Sequence, residues 1–383
     1  MTRRFGVIAV GLVGVVLGGC STLDKLNPFK SEPKIKPAEL KPIQGAAELP
    51  VRWQVTVGEA DDFVLTPAVV GDSVYAAARD GTVSRIDNGR QSWRIAAGEK
   101  LAGGVGADRD LVVVGTEKGQ VMAFDAESGK PRWTARVSSE VLAPPLVNGD
   151  QVVVRSVDAR VVGLDRADGK RRWVYQRVTP ALTLRSNVGM TMVDNTVLAG
   201  FPGGKLVAIN GKNGAAMWEA TVAVPKGATE LERVADITSL PVADERQVCA
   251  VAYQGRVACF ELANGNQVWG RDISSSAGLD MDQTRVYVSD DTGAVQAFAR
   301  DGGASLWKQD KLANRGLSRP IMLGRRVAVA DFQGFVHFLD VDDGAFVARA
   351  ATDGSAIRAN PQRVAGGLVV QTRKGSVIAL GVQ

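Results

Sequence analysis

The sequence predicts an all-β fold, an eight-bladed β-propeller of four-stranded antiparallel blades, with the ring closed by an N-terminal strand around Trp53 that joins the C-terminal blade. Three observations predict it. One phrase, Gly-x-Val-x-Ala-apolar-Asp with Gly four residues on and Trp four after that, recurs eight times. All seven tryptophans fall at its last position, six directly and Trp53 by standing in for the copy that reaches the C-terminus. The copies recur about every 40 residues, the period of a four-stranded propeller blade.

The clearest copy runs from Gly119 through Asp125 and Gly129 to Trp133. Others lead from Gly81 to Trp93, Ala159 to Trp173, Gly204 to Trp218, Gly255 to Trp269 and Gly293 to Trp307. The seventh starts at Gly334 but carries Ala348 at the Trp position, and the eighth spans Gly375 to Leu380. Upstream of each phrase lies a strand pair such as Pro145 to Asp150 and Gln151 to Val154, whose Asn-Gly and Gly-Asp steps supply the positive φ of tight hairpins. Apolar residues crowd both strand faces because each blade packs between two neighbours. One indole per blade would seal each seam, burying roughly 150–250 Å². Trp53 lies in the segment Leu49 to Val57, which would be the outer strand beside Arg363 to Leu380 and would remove the open edge of the repeat array.

Residues 1–19 read as a leader: Arg3 and Arg4, an apolar run from Val7 to Leu17, then Leu17-Gly-Gly-Cys20. The run is too short for a membrane span, and its end resembles a bacterial lipobox that would make Cys20 the lipidated first mature residue. Ser21 after the cysteine favours outer-membrane attachment facing the periplasm. Residues 20–48, with Pro28, Pro33, Pro37 and Pro42 among five lysines, read as a flexible tether, and residues 49–383 as the propeller. Net charge is +5, and +3 without Arg3 and Arg4; no basic block is interleaved with aromatics, so no nucleic-acid partner is expected.

Catalytic signals are weak. The lone histidine, His337, occupies a repeat position that elsewhere holds Ser84, Met122, Val162, Val207, Ala258, Gln296 or Ile378, so it reads as a packing residue. The recurring Asp87, Asp125, Asp165 and Asp340 precede Gly-containing turns, where capping explains them better than acid–base chemistry. One His and two spaced Cys supply no recognisable zinc site, and no metal, cofactor or catalytic residue is assigned. Cys249 and Cys259 lie on consecutive strands around Gln254-Gly255; a three-residue turn would oppose them and a two-residue turn would separate them. They are either a disulfide or two small buried hydrophobes.

The repeat stretches in two places. Successive copies are 38–41 residues apart except for intervals of 45 and 51, which lengthen the connections after Trp173 and Trp218. Such connections leave a propeller on one face, and these belong to neighbouring blades, so they should form one patch. The first contains Thr179 to Arg185 with Leu182 and Leu184; the second contains Ala228 to Asp236. The leucines and Arg185 suit an interface anchor; alternatively the leucines tuck under their own loop.

The phrase is similar to the repeat of pyrroloquinoline-quinone dehydrogenases and their non-enzymatic relatives, but the vicinal cysteines, calcium ligands and catalytic Asp of those enzymes cannot be placed. With its lipobox, tether and compact ring, the chain resembles the BamB family, the lipoproteins of the outer-membrane β-barrel assembly machinery. That resemblance implies a non-enzymatic scaffold that binds the periplasmic POTRA domains of BamA, and through BamA the other lipoproteins of the complex, and promotes barrel insertion. It assigns the contact to Leu182, Leu184, Arg185 and Asp236, with Asp236 touching the partner or orienting Arg185; Thr238 replaces the family's second acidic residue. The other readings are a quinone-dependent periplasmic redox enzyme or sensor, and a chaperone-like binder that adds unfolded barrel precursors to its blade edges as strands.

Overall fold

The computed structural model describes residues 36–382 and Thr2; the rest of the leader, Cys20 and the tether up to residue 35 lie outside the described residues. Among the described residues, thirty-two strands form eight four-stranded antiparallel sheets and no helix. Blade 1 holds Ala68–Val70, Ser73–Ala77, Thr82–Asp87 and Arg90–Ala96, and the same meander repeats through blade 7, whose outer strand is Phe346–Ala351. Blade 8 takes Gln362–Val364, Gly367–Gln371 and Ser376–Gly381 from the C-terminal end and Val51–Thr56 from the N-terminal end. Thr56 pairs with Ser376 and Val51 with Leu380, so the predicted closure is present.

Burial follows from the layering. Middle strands such as Leu111–Gly115 are buried throughout because sheets cover both faces, whereas an outer strand such as Pro131–Arg136 alternates exposed and half-buried residues. Every outer strand also carries one extra residue immediately before the Trp position: Ser92, Arg132, Arg172, Met217, Val268, Leu306, Val347 and, in blade 8, Arg52. A bulge of this kind twists and interrupts a strand edge that would otherwise template another chain.

The tryptophans seal the seams by a repeated contact. Trp93, Trp133, Trp173, Trp218, Trp269 and Trp307 donate their indole N–H to the carbonyls of Ala126, Arg166, Gly211, Leu262, Arg300 and Val341, at 2.7–3.1 Å. Each acceptor directly follows the Asp position of the next blade. The glycine of that turn lies on the indole: Gly169 has φ +72°, and a Cβ there would stand 2.6 Å from the ring of Trp133. Glycine is thus required twice, for its backbone angle and for the approach. Trp173→Ala removes a buried indole and its bond to Gly211, so it should lower stability by about 3–5 kcal/mol. Chemical denaturation with an unchanged slope measures this; a loss under about 1 kcal/mol would leave the seam without a structural role.

Ala348 has a topological explanation. In blade 7 the tryptophan would lie against the turn of blade 8, but blade 8 has no such turn, because its third strand ends the chain and its outer strand arrives from the N-terminus. The incoming segment occupies the place instead. Ala47 donates to the Val347 carbonyl (2.9 Å), and Ala47 and Leu49 pack against the core cluster that contains Ala348, Ala350 and Leu380.

This corrects the proposed boundary at Leu49. The compact unit begins at Pro37, and the last part of the expected flexible tether lies against the ring. Ala38 N–H donates to Ala313, Arg315 Nη1 donates to the Ala38 carbonyl (2.9 Å), Arg349 Nη1 donates to that of Lys41 (3.0 Å), and Leu40 packs beside Trp307 and Leu317. The two arginines belong to a buried cluster. Asp331 Oδ2 accepts from Arg315 Nε (2.7 Å) and lies 2.8 Å from His337 Nε2, while Arg349 Nε donates to His337 Nδ1 (3.2 Å). That pattern assigns a neutral imidazole with its proton on Nε2. Burial lowers the His337 pKa, against the opposing pull of Asp331. His337 is therefore a packing residue that also helps secure the N-terminal segment.

The recurring acids cap turns. Asp125 Oδ1 accepts from the Ser128 amide, Asp165 Oδ1 from Ala167 and Asp340 Oδ1 from Asp342, all at 2.8 Å, and Asn210 does the same for Lys212. Asp87 accepts from Ser73 and Arg85. Cys249 and Cys259 are directly opposed across a turn of Tyr253, Gln254 and Gly255, with Cα atoms 4.1 Å apart and the sulfurs joined in a disulfide.

Candidate partner-docking site

Strand direction places two kinds of segment on one face of the ring. In each blade the connection from the outer strand to the next innermost strand and the hairpin between the second and third strands emerge at the same end. The stretched connections, between Gln176 and Met190 and between Thr221 and Val242, therefore lie beside each other on that face. Leu182 and Leu184 are 40% and 38% exposed there, together with Val178, Val224 and Leu231. They are neither withdrawn into the loop nor fully free.

Asp236 joins the two connections. Its side chain is 2% exposed; Oδ2 accepts from the Leu184 amide (2.7 Å) and Oδ1 from the Gly203 amide (3.0 Å), while its own carbonyl accepts from Tyr253 (2.9 Å). A buried carboxylate needs such donors to offset its lost hydration. Arg155 lies nearby, its guanidinium 4.9 Å above the Phe201 ring and bonded to the Gly200 carbonyl. Burial pushes the Arg155 pKa down to about 10, and the Asp236 charge pulls it back up. The carboxylate is thus turned inward, away from any partner, and it does not touch Arg185. Both roles expected of Asp236, direct contact and orientation of Arg185, give way to a third: it fixes the backbone that carries Leu184. Thr238 is also buried and bonds across to the Ser276 carbonyl (3.4 Å).

Arg185 is held elsewhere. Nε and Nη2 donate to Glu140 Oε2 at 3.0 and 2.5 Å, and Nη2 lies 3.6 Å from Glu117. Its guanidinium stands 5.9 Å from the centre of the Phe63 ring, which Arg79 covers more closely at 3.9 Å. Glu140, Glu117, Phe63 and Arg79 were not singled out from the sequence, because their connections and hairpins have ordinary lengths.

Beneath the loop, Arg155, Thr183, Leu184, Pro202 and Asp236 line a cavity of about 20 Å³, room for a water and for nothing larger. Among the described residues no group of three His, Cys, Asp or Glu side chains is placed to hold a metal ion. The face offers exposed apolar side chains and an ion-paired guanidinium.

Comparison with known proteins decides the family. The sequence profile of the family described as outer membrane protein assembly factor BamB matches residues 79–309 and 291–383. The chain belongs to the BamB family. It is 42% identical to the BamB of Bordetella pertussis over 95% of each chain, and 35% identical to that of Escherichia coli K12 over 97% of each. The crystal structure of BamB from Moraxella catarrhalis superposes with a TM-score of 0.82 at 31% identity, covering 87% of this chain and 100% of that one. A quinohemoprotein alcohol dehydrogenase from Comamonas testosteroni superposes with a TM-score of 0.70 at 14% identity, over 87% and 76%, a likeness of fold alone. The BamB assignment thus covers the ring and the connections that carry Leu182 to Asp236.

Asp236→Asn keeps the volume but replaces one acceptor oxygen with a donor that faces a backbone N–H. One buried amide is left unpaired, so the substitution should lower stability by about 1–3 kcal/mol. Amide hydrogen exchange should rise at Leu184 and Gly203; unchanged exchange at both would show that Asp236 does not fix the loop.

Proposed function

We propose that the chain is a non-enzymatic scaffold, anchored by lipid at Cys20 to the outer membrane and facing the periplasm, that docks on the POTRA domains of BamA and promotes assembly of outer-membrane β-barrels. The observation that carries this reading is the pair of stretched connections bolted together by Asp236, which presents Leu182, Leu184 and Arg185 in fixed positions on one face. Such pre-ordering lowers the entropic cost of association. Family membership supports the assembly role; the names of its relatives say outer membrane protein assembly factor.

The eight rim bulges weigh against capture of precursors by strand addition, since each outer edge is interrupted at its centre. No observation favours a quinone site over the fold likeness it rests on. The test is a pull-down of tagged mature protein from detergent-solubilised outer membranes, with partners identified and absorbance recorded. Recovery of BamA with its companion lipoproteins is expected; a dehydrogenase partner or a bound quinone chromophore would overturn the proposal.

A further inference from the structure

The Arg185 guanidinium is the end of a longer arrangement. Phe63 lies on the connection from the closing strand into blade 1, Arg79 on the second hairpin of blade 1, Glu117 on the equivalent hairpin of blade 2, and Glu140 on the connection from blade 2 to blade 3. All emerge on the face that carries Leu182 and Leu184. Arg79 is bonded to Glu117 and donates from Nη1 to the Leu101 carbonyl (2.7 Å), so the start of the chain of contacts is tied to the backbone.

Exposure rises along it. The Arg79 side chain is 13% exposed, Glu140 33%, Glu117 40% and Arg185 53%. Two cations and two carboxylates cancel, so the cluster carries no net charge to steer a partner. What it provides is direction. Glu140 takes Nε and Nη2 of Arg185 from one edge, and the Phe63 ring centre lies 5.9 Å from the guanidinium, while Nη1 takes no partner among the described residues. An arginine can be held by one edge and still donate from the other in a fixed direction because its five N–H groups lie in one plane; the three donors of a lysine ammonium rotate and have no such fixed fork.

We infer that Glu140, Glu117 and Phe63 are positioning residues of the docking surface, aligning the free edge of Arg185 toward an acceptor on the bound domain, a carboxylate or backbone carbonyl. The surface therefore extends across the mouth of the ring from blade 4 to blade 1. This rests on the proposal that Arg185 contacts the POTRA domains. Phe63 adds a half-buried aromatic at the far end of the same face.

A double-mutant cycle tests it, using the full mature protein and purified BamA POTRA domains, with binding measured by calorimetry and folding by thermal melt. Glu140→Gln should weaken binding about tenfold at an unchanged melting temperature, and should have no further effect when combined with Arg185→Ala. Arg185→Lys should bind as poorly as Arg185→Ala, because the charge remains but the fork is gone. Glu140→Asp should recover part of the loss. If Glu140→Gln binds as wild type while Arg185→Ala does not, the positioning role is wrong and the docking proposal stands. An equal loss from Glu140→Gln in both backgrounds would also overturn it, since that marks an independent contact. Wild-type binding by Arg185→Ala would remove the docking proposal itself.

Discussion

Deleting residues 49–57 is expected to abolish the single cooperative unfolding transition. The segment supplies the fourth strand of blade 8, pairing from Val51–Leu380 to Thr56–Ser376, and with it Trp53, which lies against Gly89 of blade 1. It also supplies Leu49, which packs against the cluster that contains Ala348, the one seam position without a tryptophan. Two of eight blade interfaces are lost together, and Ser376–Gly381 becomes an open edge. A typical domain is stable by only roughly 5–15 kcal/mol, so a loss on this scale leaves no margin for a closed ring. Thermal melting and hydrogen exchange measure the outcome. A truncated protein that melts cooperatively at the wild-type temperature would show that closure does not hold the propeller together.

The second large effect is expected from Leu182→Asp. The residue is 40% exposed, so the folded ring loses little, and the bond from the Leu184 amide to Asp236 is a backbone bond that the substitution leaves in place. A carboxylate would nevertheless be desolvated under any partner that covers the loop. Anchors of this kind cost at least about 2 kcal/mol when lost, or roughly a 30-fold fall in affinity. Calorimetric titration with POTRA domains measures it, and wild-type affinity would relieve Leu182 of any part in docking.

The architecture was legible because one phrase carries four layers of information. Its alternation gives the strand faces, its Asp and Gly give the turn, its Trp gives the seam, and its period gives the number of blades. What could not be read were contacts between copies. Ala348 at the Trp position has no explanation in the sequence; closure places it opposite a blade without a turn. The proline- and lysine-rich segment before Leu49 looked free because its attachment uses the backbone carbonyls of Ala38 and Lys41, which composition does not register.

The placement of the candidate residues was legible in part. The lengthened intervals located the two connections, and Leu182, Leu184 and Arg185 are exposed on them. The direction of Asp236 was not readable, since its donors at Leu184 and Gly203 depend on how two connections cross in space. Nor was the support of Arg185, which comes from Glu140 and Glu117 on connections with no excess length.

Docking through Arg185 is tested most directly by the affinity of the purified mature protein for purified BamA POTRA domains, compared between wild type and Arg185→Glu with melting temperatures recorded alongside. Saturable binding by the wild type and none by the variant, at the same melting temperature, is expected. Equal binding by both would contradict it.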